Sequence, residues 1–251
     1  RGEQVGLLWA RPAGGPEFDL AVDPLECTDS VAFGRYNAMS VIVAGAKGSL
    51  LSAPDVYMDK IAAGPKAARV IRLNAPVRTN LIKTAKALGK PLRDLTVVVL
   101  DRPRHAELIL QIRRAGARVR LITDGDVAGA IAPCLPDSGI DLLMGIGASA
   151  EAVLAAAAVK IFGGQILCRF SALKDNHVKL IKEAGYNTGR VFAAADLAKG
   201  RVLSFTATGV IDGPLLKGVR FAGNIATTHS LAIRGQSGTV RYITAQHREK
   251  M

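Results

Sequence analysis

The run Asp23-Pro24-Leu25-Glu26-Cys27-Thr28 sets two carboxylates three positions apart across a proline, with a threonine hydroxyl close behind. Asp23 and Glu26 can meet one centre across such a turn, and the Leu25 carbonyl can lie between them. Two carboxylates and a carbonyl make a hard oxygen set of the kind Mg2+ and Mn2+ accept. Thr28 offers a hydroxyl beside that centre. Taken alone, the same run is also compatible with an ordinary turn.

Three more runs carry related chemistry: Asp101-Arg102-Pro103-Arg104-His105, Asp124-Gly125-Asp126 and Gly145-Ile146-Gly147, each placed just after an apolar stretch. In open α/β sheets, ligands bind at the carboxyl ends of strands. Arg102 and Arg104 suit a phosphate bidentately, and Asp124 and Asp126 can accept from sugar hydroxyls. Any one of these residues reads as a loop cap or a surface ion pair. Three consecutive strand ends with the same chemistry read as the lining of a site for a phosphorylated polyol. The Gly145 run lacks the third glycine of a dinucleotide loop, because position 150 is Ala, so no nucleotide cofactor is expected. Glu151, in the first turn of the following helix, either complements the helix dipole or points a carboxylate at the crevice.

The elements that must hold these residues are legible in outline. Residues 1–20 read as an irregular start, with a Pro/Gly turn at 11–16, and a strand over 17–22 that Pro24 ends sharply. Strands are predicted over 37–44 and 49–53, joined by a turn at 46–48. After about residue 76 strands and helices alternate: helix 80–88, strand 95–100, helix 103–114, strand 118–122, a helix to about 132, strand 141–144 and helix 149–162. Pro103 suits a first helical turn and Gly116 a stop. Later signals weaken, with strands near 202–207, 229–234 and 239–244. The pattern change divides the chain into residues 1–75 and 76–251.

Composition narrows the classes. Hydrophobic residues at 49% and charged residues at 22% describe a chain able to bury a sizeable core. Aromatics at 5% leave that core to Ala, Val, Leu and Ile. No apolar stretch reaches the roughly 18 residues of a membrane span, and residues 1–20 hold no cleavable apolar core, so no secretory signal is expected. Cys27, Cys134 and Cys168 form no CxxC pair, which argues against disulfides and zinc and for a reducing, cytoplasmic setting. The net charge of +12 comes from dispersed basic residues without interleaved aromatics. That distribution points to an anionic metabolite, with no nucleic-acid and no membrane partner expected.

The Asp23 run resembles the DP-[I/L]-[D/E]-G-T signature of the lithium-sensitive, metal-dependent phosphomonoesterases, which include inositol monophosphatases and fructose-bisphosphatases. The resemblance narrows through Asn37–Val41, Asp55–Lys60, Asp101–His105, Ile122–Val127, Gly145–Gly147 with Glu151, Ala207–Val210 and Leu216–Arg220, all in order. The family they resemble is class II fructose-1,6-bisphosphatase, including the cyanobacterial form that also takes sedoheptulose-1,7-bisphosphate, and the likeness covers essentially the whole chain.

The resemblance implies an α/β (α+β) layered sandwich, a mainly antiparallel N-terminal sheet followed by an α/β domain. It implies Asp23, Glu26 and Glu151 as ligands of Mg2+ or Mn2+, and a catalytic group of Asp23, Glu26 and Thr28. Substrate contacts would come from Glu26, Cys27, Thr28, Tyr57, Arg102, Pro103, Arg104, Asp124, Gly125, Asp126 and Ala148. The implied reaction removes the 1-phosphate of fructose-1,6-bisphosphate, in gluconeogenesis or the Calvin cycle, by a homodimer or homotetramer. A further family segment with an Asp and a Glu for the metal is expected before Arg1. Position 27 is Cys where the family has Gly. A second reading is therefore a homologue that binds sugar phosphate or a partner without turnover.

Overall fold

The computed structural model describes residues 6–10 and 15–248. In chain order the early elements are β1 (Gly6–Ala10), β2 (Phe18–Glu26), α1 (Thr28–Ala32), β3 (Ala38–Ala46) and β4 (Tyr57–Ala63). The middle comprises α2 (Val77–Leu88), β5 (Thr96–Leu100), α3 (Ala106–Arg114), β6 (Arg118–Ile122), α4 (Asp126–Ile131), β7 (Leu142–Ala148) and α5 (Ser149–Ile161). There follow β8 (Gln165–Ser171), α6 (His177–Glu183), β9 (Val191–Ala193) and α7 (Ala194–Leu197). The chain closes with β10 (Leu203–Ile211), β11 (Arg220–Ala222), β12 (Ile225–Arg234) and β13 (Thr239–Arg248).

Two sheets result. The first runs β1-β2-β3-β10-β12-β11, with β13 beside β12, and every pairing is antiparallel. The second runs β6-β5-β7-β4-β8-β9 and is mixed: β5 pairs β6 and β7 in parallel, while β4, β8 and β9 pair antiparallel. Segments on both sides of residue 76 contribute strands to both sheets.

Helix α5 explains how the layers close. Its sequence is apolar nearly all round, so it must be buried on every side. Ala155, Ala156, Ala157, Ala158 and Val159 are fully buried in one core with Val41 and Val43 of β3, Phe205 of β10 and Met58 and Ala62 of β4. Alanine's small side chain lets a helix fit between two sheets. A second core lies across the mixed sheet, where Leu81 of α2 and Ile112 of α3 pack on Val97 and Val99. The result is an α+β layered fold.

Several expectations are corrected. Strand β1 pairs β2 where an irregular start was expected, and the expected turn at 11–16 falls mostly on residues outside those described. Pro24 does not end β2, which continues to Glu26 through a register shift. Residues 49–53 form no strand; Leu50 makes a single bridge to Ala198. The strand β4 was missed, and with it the extension of the strand 141–144 through Gly145-Ile146-Gly147. These residues extend β7, opposite Lys60, Asp59 and Met58 of β4. Helix α2 starts at Val77, earlier than expected, behind Pro76.

Candidate functional site

Strand β2 carries Asp19, Ala21 and Asp23 on its buried side by two-residue alternation. The register shift between Asp23 and Glu26 turns Glu26 inward too, so the carboxylates are only 3% and 1% exposed. Asp23 Oδ1 accepts the Leu25 amide at 3.1 Å. Glu26 Oε1 accepts the Val127 amide of α4 at 2.8 Å, while its Oε2 meets no hydrogen-bond partner among the described residues. Burial holds Glu26 well above the ordinary carboxylate range, and the charges of Glu151, Asp126 and Asp23 push the same way.

Cys27 takes the left-handed conformation, φ 71° and ψ 51°, directly before α1. Its Sγ fills the space over Gly125, where an added Cβ would lie 2.0 Å from the sulfur. Asn37 Nδ2 donates to the same sulfur at 3.6 Å. Burial, followed by the Glu26 charge, drives the thiol pKa upward. A thiol held protonated in this way is a packing group, not a nucleophile.

Asp126 and Glu151 begin α4 and α5 and approach the cluster from the other sheet. Glu151 Oε2 accepts the Ala148 amide at 3.1 Å. Burial and the Asp126 charge raise Glu151 well above its ordinary value, opposed by Lys60. Lys60 of β4 was not expected here. Its Nζ donates to Asp126 Oδ2 at 2.6 Å and stands 3.7 Å from Glu151 Oε2. The signal was available: Lys60 shares the inward phase of β4 with Met58 and Ala62, both fully buried.

The arginine loop divides. Arg102 donates to the Thr123 carbonyl and lies 3.5 Å from Asp124 Oδ1. Burial lifts the Asp124 carboxyl above its ordinary value. Pro103 opens the short 3-10 turn that sets Arg104 outward. Arg104 donates to the Ile146 carbonyl at 2.9 Å and covers the Tyr57 ring at 5.1 Å. Tyr57 pairs in register with Ala148, which places it one residue from the start of α5.

His105, without an assigned role, pins the loop from below: its Nε2 accepts the Ile146 amide at 2.8 Å, and its Nδ1 lies 2.7 Å from the Leu100 carbonyl. Two recesses open beside the Arg104 and Asp124 loops. One, of about 260 Å3, is lined by Asp59, Arg104, Ile146 and Arg169. The other, of about 640 Å3, is lined by Arg35, Asn37, Arg120 and Asp124.

The structure therefore brings Asp23, Glu26, Cys27, Gly125, Asp126 and Glu151 together, with Asp124 and Ala148 at the margins. Thr28 starts α1 on the exposed side of the cluster. Arg102 and Arg104 turn to different sides. Among the described residues no three His, Cys, Asp or Glu side chains are arranged to hold a metal ion. The donor chemistry nevertheless fits a hard cation. Three buried carboxylates, Asp23, Glu26 and Asp126, gather with the partly buried Glu151, Lys60 pairs with the last two, and Glu26 Oε2 and Asp126 Oδ1 accept no hydrogen bond among the described residues.

Comparison with known proteins agrees with this chemistry. A family profile described as bacterial fructose-1,6-bisphosphatase, glpX-encoded, matches residues 1–247. The chain is 42% identical over 259 residues to Fructose-1,6-bisphosphatase 1 class 2 of Escherichia coli (strain K12), an alignment spanning 98% of this chain and 76% of that one. Fructose-1,6-bisphosphatase class 2 of Shigella flexneri matches with the same identity and coverage.

Proposed function

The chain belongs to the bacterial, glpX-encoded fructose-1,6-bisphosphatase family, and from that premise we propose that it hydrolyses the 1-phosphate of fructose-1,6-bisphosphate with a divalent metal. The observation that carries the reading is the gathering of Asp23, Asp126 and Glu151 near Glu26, whose buried Oε2 has no hydrogen-bond partner among the described residues. So dense a set of carboxylates repels a phosphate unless a cation stands between them. We assign the metal to Asp23, Glu26 and Glu151, and name Mg2+ or Mn2+ as the ion. When bound, it supplies a Lewis acid for the phosphoryl oxygens and lowers the pKa of water.

The chain's own residues do the rest. Thr28 orients the attacking water through its hydroxyl. Arg104, over the Tyr57 ring and behind Pro103, holds the far phosphate, and Arg102 contacts the substrate from the Asp124 side. Asp124 and Asp126 accept from the sugar hydroxyls. Cys27, Gly125 and Ala148 contact the substrate through their backbone. We place this reaction in gluconeogenesis, in the cytoplasm and in a homodimer or homotetramer, with no nucleic-acid partner. Sedoheptulose-1,7-bisphosphate, a Calvin-cycle substrate, is the second ketose bisphosphate proposed for the same site.

The reading without turnover draws on Cys27, whose side chain fills the turn above Gly125. One assay separates the two: phosphate release from fructose-1,6-bisphosphate by the intact protein, with Mg2+ or Mn2+ and then with EDTA. Hydrolysis predicts release with metal that stops with EDTA. Binding of the sugar phosphate without release, at any metal concentration, supports the other reading.

A further inference from the structure

The geometry points to Lys60 as a resident cation that ties the carboxylates of Asp126 and Glu151 into their working positions. This makes it a positioning residue for the hydrolysis proposed above, on which the inference rests.

Burying an ammonium group is unfavourable unless its partners are well placed. Lys60 is only 2% exposed and sits between Met58 and Ala62 in the apolar phase of β4, where an aliphatic side chain would fill the space without that cost. Its partners come from the starts of two different helices: Asp126 Oδ2 of α4 at 2.6 Å and Glu151 Oε2 of α5 at 3.7 Å. Without the lysine, these two carboxylates repel each other across the gap between α4 and α5. With it, both are drawn toward one point fixed by the β4 backbone.

A second, independent feature keeps that point clear. Gly147 has no positive φ that would demand glycine. A Cβ there would lie 1.9 Å from Asp126 Oδ2 and 3.0 Å from Lys60 Nζ. The glycine is accounted for by the ion pair alone. Lys60 therefore lowers the negative charge of the cluster permanently, before any divalent ion arrives, and leaves Glu26 Oε2 as the open donor.

The test uses the intact protein and two variants, Lys60→Met and Gly147→Ala. Turnover of fructose-1,6-bisphosphate is measured at saturating Mn2+, and melting temperature with EDTA and with Mn2+ alone. Lys60→Met is expected to lower kcat by about ten-fold or more, as loss of a group that orients metal-site residues does. Mn2+ should raise its melting temperature more than that of the wild type, because the divalent ion takes over the lost neutralisation. Gly147→Ala keeps every charge but displaces Asp126, so its kcat should fall while its Mn2+ response stays that of the wild type.

Folded Lys60→Met with kcat within about two-fold of wild type, or with an unchanged Mn2+ response, would overturn the assignment. If that variant does not fold, wild-type kcat in Gly147→Ala overturns it instead. If the wild type releases no phosphate, the hydrolysis reading fails, while the melting comparison still judges Lys60.

Discussion

At the scale of single residues, Cys27 and Gly125 form one unit. A non-glycine residue in the left-handed region costs about 1–2 kcal/mol, and burial of the sulfur offsets part of it. Cys27→Gly should therefore change stability by no more than about 1 kcal/mol in urea denaturation. Gly125→Ala should cost more than about 2 kcal/mol, since its Cβ would meet Cys27 Sγ and its own φ is 71°. The double variant should lose less than the sum of the two, whereas strict additivity would show that the side chains do not compete for that space.

His105 makes a prediction about pH. Because the Ile146 amide donates to Nε2, the proton sits on Nδ1 and is donated to the Leu100 carbonyl. Burial lowers its pKa, so the folded form takes up a proton less readily than the unfolded chain. Stability from this group is complete above the unfolded value of about 6.5 and falls as pH drops below it, by at most about 1.4 kcal/mol per unit. Denaturation of His105→Gln at pH 5.5 and 7.5 should show a shallower loss than the wild type; an equal loss would place the acid sensitivity elsewhere.

At the scale of elements, what the sequence disclosed depended on whether turn residues bounded the element. The strand 118–122 was read at its true bounds, and helix α5 within one residue, because turn residues punctuate both. Strand β4 was missed because six of its seven residues from Met58 onward mix a charge pair with small apolar residues, and its partners β7 and β8 lie far along the chain. That omission hid Lys60 and left Gly145-Ile146-Gly147 outside the predicted strand 141–144.

Asp23, Glu26 and Asp126 were singled out by their types and spacing, and the structure brings them together. How Asp23 and Glu26 face inward together was not legible, because that depends on a register shift against β3. The close fit of α5 between the sheets is testable. Ala156→Leu should lower stability by about 1–3 kcal/mol through overpacking, read as a fall in melting temperature. An unchanged midpoint would mean that the layers have room to part.

At the scale of the molecule, the chain leaves the first sheet after β3, builds the whole mixed sheet, and returns with β10 to pair with β3. That excursion brings Asp126 and Glu151, which start helices beside the second sheet, to Asp23 and Glu26 on the first. The chain carries a net charge of +12 and gathers a cluster of opposite sign at the proposed site, a combination suited to attracting an anion. Everything proposed converges on Glu26, whose Oε1 is held by α4 and whose Oε2 is open. The most direct test compares phosphate release from fructose-1,6-bisphosphate by the intact protein and its Glu26→Gln variant, with Mn2+ and with EDTA. Release by the wild type that needs Mn2+ and falls on the order of 100-fold or more in a folded Glu26→Gln is the expected result. Equal turnover by the two proteins, or turnover that survives EDTA, would contradict it.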